Sequence, residues 1–417
     1  MFDYEFSIMF EQFGNGNDKF AVKRSDIVYR NMQDPRMIKL YYTTKTLSLL
    51  GKDELIGSSP PDLFVGRFGY PKVFIGPLIP PEFGDTSIYS SPETWVGKSI
   101  PDIIGFRSTL VRGMYRTDAK NVENGRVEEA VRDLALTDKF VTAEAAFTRK
   151  PVLNNVLNEE VTPFGPSAPI KQFHVEHGST NRHLEDAYSD TSMGAKTAML
   201  ELYEKGLPVT KIQRALSAGI LGMDKNRKFV PTRWSITAVD DTISKTNLEA
   251  IKSYDPIDSP MIYEINGLDN RWLVMMFPGA WSYELVEAWY PNTSWNDDPN
   301  KVAIFSSYEF YDGRKKYAEI GGCYYAARLA VSELLEKKKR QAMVAILRET
   351  HSGYTLPVGV WNVREHVRAA LKTEPKMFAS NEEAIKYVGS VMEITVPTWL
   401  ENSTVLRNIL LQKRLFS

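Results

Sequence analysis

Cysteine is nearly absent from this 417-residue chain, in which Cys323 is the only one. A single thiol excludes an intramolecular disulfide and leaves no set of thiolates for a zinc site. Charge of one sign is also lacking, because 51 lysines and arginines oppose 52 aspartates and glutamates, for a net charge of −1. No overall positive field draws the protein onto nucleic acid, so any DNA contact must come from a local basic patch.

Long hydrophobic runs are missing as well. The apolar stretch 273–277 is far shorter than the ~20 residues that a membrane-spanning helix needs. The acidic Asp3 stands where a secretory signal would carry positive charge. We therefore expect a cytoplasmic protein with no membrane partner. The chain does contain 43% hydrophobic and 25% charged residues, the balance of a folded protein with a sizeable core.

Composition divides the chain into five segments. Residues 1–50 form a polar arm, 51–160 a Gly/Pro-rich α+β segment, 161–190 a polar loop or boundary, 191–395 the main α+β segment, and 396–417 a C-terminal helix and tail. Helical and strand patterns are intermixed without a strict βαβ rhythm. We predict an α+β fold of mixed sheets with packed helices, built as one large domain or as two intimately packed subdomains.

Three segments show the periodicity or composition of helices. Apolar residues within 127–134 recur at i, i+3, i+4 and i+7, which predicts an amphipathic helix. A second helix is predicted over 195–203, and Gly206 supplies its stop signal. The third and longest helix is predicted from about residue 314 to residue 347.

Strands are predicted in four places. The stretch 140–147 has strand character, and the run 273–277 is typical of a strand buried on both faces. Apolar and polar residues alternate over 233–239, which predicts a half-buried strand. Glycine and proline are dense over 56–81, which predicts mostly loop around two brief strands.

The same glycine-rich stretch is the first candidate for binding chemistry. Glycines allow close backbone approach to a ligand, and Ser59, Arg67 and Lys72 carry groups that hold phosphate. The alternative is a compact surface loop whose glycines satisfy turn geometry.

A second candidate is a group of histidines. His174, His177 and His183 fall within ten residues, with Glu185 and Asp190 close by. Imidazole and carboxylate together suit zinc, manganese or iron. Their spacing matches no standard hydrolase signature, and a hydrated loop accumulates such residues without any ligand. We predict no metal and no cofactor, with a metal site here kept as an unsupported alternative.

The stretch 309–317 (EFYDGRKKY) is a third candidate, and it leads into the predicted long helix. On that helix Tyr317, Gly321, Tyr324 and Arg328 would share one stripe. Tyrosine hydroxyls beside a guanidinium suit phosphate binding. The alternative is a core stripe with a polar edge.

A fourth candidate is a pair of arginines, Arg364 and Arg368, which lie one helical turn apart and share a face. They either clamp phosphates or pair with buried carboxylates such as Glu309 and Glu349. Buried ion pairs are common structural devices, so the spacing leaves both interpretations open.

The last residues resemble a sliding-clamp docking peptide. Such peptides present a glutamine, an aliphatic residue three positions later, and then aromatics, a pattern that Gln412, Leu415 and Phe416 follow. Here the aromatic follows the aliphatic residue directly, and the later aromatic positions are missing. The alternative is a Phe416 side chain folded back onto its own domain.

The larger sequence blocks resemble the Nre family of archaeal DNA repair proteins. The stretches that carry the resemblance are GSSPPDLFVGRFGYPKVFIGPL (57–78), GDTSIY (84–89), FRSTLVRG (106–113), FVPTRWSITAVDD (229–241), EAWYPNTSW (287–295), YDGRKKYAEIGGCYYAARLAV (311–331) and PVGVWNVREHVRAAL (357–371). The resemblance implies a role in the response to DNA damage and binding to the archaeal sliding clamp PCNA through the C-terminal peptide. Many family members carry an N-terminal cysteine cluster that looks like a zinc module. Residues 1–50 contain no cysteine, so no zinc is carried over.

Two functions follow as hypotheses. In the first, a clamp-recruited repair factor binds damaged or branched DNA itself, with an enzymatic step on phosphodiesters or nucleotides left open. Its phosphate- or nucleic-acid-binding residues would be Ser59, Arg67, Lys72, Arg107, Arg112, Arg233, Arg314, Tyr317, Arg364 and Arg368. Its acid, base or metal-ligand candidates would be Asp85, Glu309 and Glu349. In the second, a non-catalytic adaptor uses the tail to bring another repair protein to the clamp.

Overall fold

The computed structural model describes residues 44–47, 53–122, 125–152, 162–293, 295–296, 298–354 and 357–412. Within these residues the chain forms two six-stranded mixed sheets with packed helices, which confirms the α+β prediction. Among them, no helix combines the length and the apolar character needed to cross a bilayer.

The first sheet is built from the N-terminal half. Its strands are β1 (Glu54–Ser59), β2 (Leu63–Val65), β3 (Lys72–Ile79), β4 (Val111–Asp118), β5 (Val141–Phe147) and β6 (Ser167–Val175). They lie in the order β1-β5-β6-β4-β3-β2, and only β4 and β6 are parallel. The strand predicted over 140–147 is confirmed as β5.

The prediction of two brief strands in a loop over 56–81 was wrong, since three strands cover this stretch. Gly69 lies in the turn before β3 with φ 83°, whereas Gly76 serves strand packing. A Cβ at Gly76 would lie 2.0 Å from the carbonyl oxygen of Gly113 on the neighbouring β4. The missing side chain therefore lets the two strands approach closely.

The helices of this half are α1 (Ile100–Ser108), α2 (Arg126–Leu136), α3 (Arg182–Ser189), α4 (Ala195–Glu204), α5 (Val209–Ser217) and α6 (Thr232–Ile251). Helices α2 and α4 confirm two predicted helices, and Gly206 has the positive φ of 82° that ends α4. The polar loop predicted over 161–190 was wrong, because β6 and α3 lie there. Helix α3 buries only Leu184 and Ala187, so its sequence looks like that of a loop.

The strand predicted over 233–239 was also wrong, because these residues form the first turns of α6. This 20-residue helix follows Pro231 and buries Ser235, Val239 and Ile243 at intervals of four. The apolar residue that created the alternation, Trp234, points away from the core and is 45% exposed. An alternating pattern over seven residues is too short to separate a strand from such a helix.

The second sheet comes from the C-terminal half. Its strands are β7 (Met261–Gly267), β8 (Asn270–Phe277), β9 (Ser282–Trp289), β10 (Ala303–Glu309), β11 (Met343–Thr350) and β12 (Lys376–Met377), in the order β10-β9-β11-β8-β7-β12. Strand β11 runs parallel to β9 and antiparallel to β8. The buried strand predicted over 273–277 is confirmed within β8.

Helices cover both faces of this sheet. They are α7 (Gly322–Lys338), α8 (Trp361–Ala370), α9 (Asn381–Val391), α10 (Val396–Asn402) and α11 (Thr404–Gln412). Along β8, Val274 packs towards α7 and α8, while its neighbours Leu273 and Met275 pack towards the last three helices. This two-sided burial explains why residues 272–277 of β8 form an unbroken apolar run.

The single long helix predicted over 314–347 was wrong. Helix α7 begins at Gly322 and ends at Lys338, and Lys339 adopts a left-handed conformation with φ 52°. The following apolar residues form β11, which is buried along its whole length. Tyr317 therefore lies in the loop before α7 and does not share a helical stripe with Arg328.

Helix α6 belongs to both hydrophobic cores. Its first half places Val239 and Ile243 in the core under the first sheet, and its second half places Leu248 and Ile251 in the core under the second. The outer side of its first turns remains uncovered by either sheet, and a cleft opens there.

Candidate functional site

A cleft of about 450 Å³ lies along the first half of α6, between the loop after β2 and the segment that leads into α7. The residues that line it are Arg67, Arg233, Trp234, Thr237, Ala238, Asp241, Tyr317 and Tyr325. Five of these eight come from α6. They share one helical side because positions four residues apart are neighbours on a helix.

Aromatic rings form the walls of the cleft. The Trp234 ring lies 5.1 Å from that of Tyr70, and the Tyr317 ring lies 5.3 Å from that of Tyr325. Trp234 and Tyr317 are 45% and 54% exposed, so each offers a free face. Phe68, close to the rim, is still more exposed. Large rings left open to solvent in this way suit contacts with another flat ring system.

Two guanidinium groups mark one end of the cleft. In the described part of the chain, Arg67 is held by its contact with the Phe68 ring, 4.8 Å away, rather than by a carboxylate. Partial burial, and then the charge of Arg67, lower the pKa of Arg233. Two like charges this close are relieved by an anion placed between them, and guanidinium groups bind phosphate oxygens well.

A carboxylate marks the other end. Asp241 accepts hydrogen bonds from Arg328 and from Lys245, the latter at 2.8 Å. Arg328 is buried and is fixed by a second ion pair, 2.8 Å from Glu309. Between the two ends, the hydroxyl groups of Thr237 and Tyr317 lie 3.4 Å apart. The cleft thus runs from a cationic end, past aromatic faces and hydroxyl groups, to an acceptor.

Three predicted phosphate-binding residues meet in this cleft, namely Arg67, Arg233 and Tyr317. The other two candidates of the glycine-rich stretch, Ser59 and Lys72, do not line the cleft. Ser59 is buried and donates its hydroxyl hydrogen bond to the backbone oxygens of Pro60 and Leu78. Lys72 begins β3 and is exposed.

Three other predicted arginines lie in ion pairs, two of them buried and that of Arg368 half-buried. Arg107 pairs with Asp62 at 2.6 Å, Arg364 with Asp240 at 3.0 Å, and Arg368 with Glu333 at 2.5 Å. Two of these arginines, Arg107 and Arg364, line a small interior cavity of about 50 Å³. Arg364 and Arg368 thus pair with carboxylates, but with Asp240 and Glu333 rather than with Glu309 or Glu349. A phosphate-binding role for these arginines stays a prediction.

Arg112 and Arg314 differ from both groups. The Arg112 guanidinium lies 4.2 Å from the Phe64 ring and 5.3 Å from the Phe164 ring, and burial lowers its pKa to about 10. Among the residues that the structure describes, none forms a hydrogen bond with its Nε. Arg314 pairs with Glu319 at 2.7 Å outside the cleft.

The three predicted catalytic carboxylates lie apart from the cleft walls. Asp85 is exposed and accepts a hydrogen bond from the Ser87 amide, 2.9 Å away. Glu309 is buried beneath the cleft, 3.0 Å from the indole nitrogen of Trp281. Glu349 is buried in β11 and accepts from the Ile394 amide at 2.7 Å. Their assignment as acid, base or metal ligands stays a prediction.

The histidine cluster places His174 on β6 and His183 on α3. Over the described ranges, no three His, Cys, Asp or Glu side chains are grouped in a way that suits a metal ion. The clamp-docking prediction falls largely outside the described residues. Helix α11 reaches Gln412, whereas Leu415 and Phe416 lie beyond the described part of the chain.

Sequence reasoning missed Trp234, Thr237 and Asp241 as site residues. The alternating-strand interpretation placed 233, 235 and 237 on one face and 234 on the other. A helical interpretation of the same letters would have put Arg233, Trp234, Thr237 and Asp241 on one side. The useful signal was a tryptophan beside an arginine at the start of a helix.

Together, the fold and the cleft define an α+β protein with a cleft whose walls combine guanidinium groups and exposed rings, groups that suit a ligand with an anionic group and a flat ring. The chain belongs to the archaeal Nre family. The family described as "Archaeal Nre, N-terminal" matches residues 32–296, and the one described as "Archaeal Nre, C-terminal" matches residues 309–417.

Individual relatives agree with this membership. The chain is 40% identical to "DNA repair protein NreB" of Archaeoglobus fulgidus, over 85% of this chain and 89% of that protein. It is 35% identical to "DNA repair protein NreA" of the same organism, over 79% and 83% of the two chains. It is 33% identical to "DNA repair protein NreA" of Haloferax volcanii, over 85% and 86%. No solved structure matches the chain significantly.

Proposed function

We propose that this protein acts in DNA repair and binds DNA in the cleft along α6. Arg67 and Arg233 hold a backbone phosphate, and Trp234 and Tyr317 stack on bases. The observation that carries the proposal is this pairing of exposed rings with two adjacent guanidinium groups. The name that the relatives bear, DNA repair protein, supports the repair role.

The preferred form of DNA follows from the aromatic walls. A ring reaches the face of a base only where that base is unstacked, as in single strands, branches and damaged sites. A net charge of −1 also gives the chain no overall positive field that would favour a duplex. Single-stranded or branched DNA is therefore the expected ligand.

The test is a fluorescence anisotropy titration of a single-stranded oligonucleotide with wild-type protein and with Arg67→Ala/Arg233→Ala. We expect at least about tenfold weaker binding by the variant. Its plot of log affinity against log salt should flatten by about 0.7, because the two arginines share one phosphate and each phosphate contact on a single strand contributes about 0.7.

The matched control is Arg116→Ala/Arg149→Ala, which removes two exposed arginines of the first sheet region that do not line the cleft. Equal losses in the two double variants would mean that general charge drives binding, and the cleft would then have no special role.

We further propose that Gln412, Leu415 and Phe416 dock the protein on the sliding clamp PCNA. The match to clamp peptides and the family membership support this proposal. Calorimetric titration into the clamp should show micromolar or tighter binding that Leu415→Ala/Phe416→Ala loses. Absence of binding by the wild-type protein would overturn it.

A second candidate function is that of a clamp-bound adaptor. Edge strand β10 and the residues after it expose Phe305, Tyr308, Phe310 and Tyr311, each between 39% and 46% exposed. Such rings at a sheet edge suit a protein partner. Clamp binding without any binding of single-stranded or branched DNA would favour this function over the first.

A further inference from the structure

The cleft has the length of one nucleotide. Arg233 and Asp241 are eight residues apart on α6, which at 1.5 Å per residue separates their backbones by about 12 Å along the helix axis. This is comparable to the span from the phosphate of a nucleotide to the far edge of its base. With phosphate held at the guanidinium end, a base stacked on the rings brings that edge to Asp241.

Asp241 is placed to read the base rather than only to hold Arg328. Glu309, the other carboxylate on Arg328, has a side chain that is 1% exposed, whereas that of Asp241 is 24% exposed and lines the cleft. A carboxylate has about four acceptor positions, and Asp241 uses two of them for Arg328 and Lys245. Acceptor capacity therefore remains on the cleft side.

An ionised carboxylate accepts hydrogen bonds and donates none, so it favours one kind of base edge. Cytosine, adenine and guanine present exocyclic amino groups, and carboxylates accept from the cytosine amino group in protein–DNA interfaces. Thymine presents carbonyl oxygens on both sides of its single N–H group, and these oxygens are repelled by the carboxylate.

We propose that the cleft takes a single unpaired nucleotide whose base carries an exocyclic amino group, with Asp241 accepting a hydrogen bond from that group. The inference rests on the DNA-binding function proposed above and gives it a base preference. Trp234 and Tyr317 supply stacking that any base satisfies, and Asp241 supplies the discrimination.

The experiment compares oligonucleotides of equal length made of deoxycytidine or of thymidine, titrated into the wild-type full chain and into Asp241→Asn. We expect the wild-type protein to prefer oligo-dC by about tenfold, the effect of one hydrogen bond to a charged group. Asp241→Asn should bind both oligonucleotides with nearly equal affinity. The matched control, Asp258→Asn, alters an exposed carboxylate that does not line the cleft and should keep the preference.

Asp241 also contacts the buried Arg328, so Asp241→Asn could disturb the fold. A modified ligand tests the same hydrogen bond with the wild-type protein. Oligo-dC methylated twice at each N4 atom lacks the amino hydrogens and should bind the wild-type protein about as weakly as oligo-dT. Equal affinity of the wild-type protein for oligo-dC, its methylated form and oligo-dT would overturn the base preference and leave DNA binding intact. Failure to bind any of the three would instead overturn the proposed function.

Discussion

The arginines of this protein differ in burial and in their position relative to the cleft. Arg107, Arg328 and Arg364 are buried and each contacts a carboxylate within hydrogen-bond distance. Removing one partner of such a pair leaves an uncompensated buried charge, which destabilises the protein. These arginines are therefore needed for the stability of the fold. Arg67 and Arg233 instead lie at an open cleft, where an incoming anion can reach them. Residue type alone predicts neither role.

A buried histidine shows how the burial of a titratable side chain affects the stability of the fold. His366 lies between Trp272 and Trp361, and its ring packs on Gly267, where a Cβ would lie 2.3 Å from Nε2. Its Nδ1 lies 2.8 Å from the Asn362 carbonyl oxygen. Burial lowers its pKa from 6.5 to about 4. The folded protein therefore holds this ring neutral.

We predict that His366 makes the folded state less stable as the pH falls from 6.5 towards 4. In that window the unfolded chain binds the proton and the folded chain does not, so acid favours unfolding by roughly 3 kcal/mol from this residue. His366→Asn keeps a donor for Asn362 and removes the titration. Urea unfolding across this pH range should give a smaller decline for the variant, whereas equal declines would contradict the prediction.

At the scale of helices and strands, a prediction was correct where the pattern of apolar residues was long and regular. Helices α2 and α4 and strands β5 and β8 were predicted because each buries a regular set of apolar side chains. Helix α6 was mistaken for a strand because its outer side carries Trp234 for the cleft rather than for the core. Trp234, which lines the cleft, thus made the sequence of α6 look like that of a strand.

The boundary of α7 was missed for a different reason. The residues after Lys339 are apolar enough for either a buried helix or a buried strand, and pairing with β8 and β9 decides between them. Such pairing is a long-range contact that no local pattern contains. For the site, the sequence supplied Arg67, Arg233 and Tyr317, but their convergence depends on the same long-range contacts.

One side chain of the second sheet caps the N-terminal end of α11, a helix that also packs Val405, Leu406 and Ile409 into the core. Glu284 on β9 is fully buried and accepts hydrogen bonds from the Ser403 hydroxyl and from the amides of Thr404 and Val405, at 2.5 to 3.0 Å. A carboxylate here satisfies amides at the N-terminal end of the helix and opposes its dipole. Burial raises the pKa of Glu284.

We predict that Glu284→Ala loosens α11, because the loss of such a cap destabilises a helix by about 1–2 kcal/mol. Hydrogen exchange of the peptide 404–412 should accelerate, while that of α9 (Asn381–Val391) stays close to the wild-type rate. Glu401→Ala, at an exposed residue of α10, is the control. Unchanged exchange over 404–412 would show that apolar packing alone holds this helix.

At the scale of the whole molecule, the central question is whether the two sheets form one cooperative unit. Helix α6 argues that they do, since Ile243 packs in the core of the first sheet and Ile251 in that of the second, and both are fully buried. Because one rigid helix packs in both cores, the disruption of one core also destabilises the other. The cleft depends on this, because α6 supplies its floor and the two halves supply its opposite walls.

We predict that Ile243→Ala and Ile251→Ala lower the same unfolding transition, each by about 2–5 kcal/mol, the usual effect of this change in a core. Helical circular dichroism reports on both halves, whereas six of the eight tryptophans lie in the second half. The dichroism and tryptophan fluorescence curves should coincide in both variants. If Ile243→Ala instead shifts the dichroism curve and leaves the tryptophan curve in place, the two cores unfold separately. The chain would then consist of two subdomains that share a helix only in the folded state, and nucleotide binding between them should restore the coincidence.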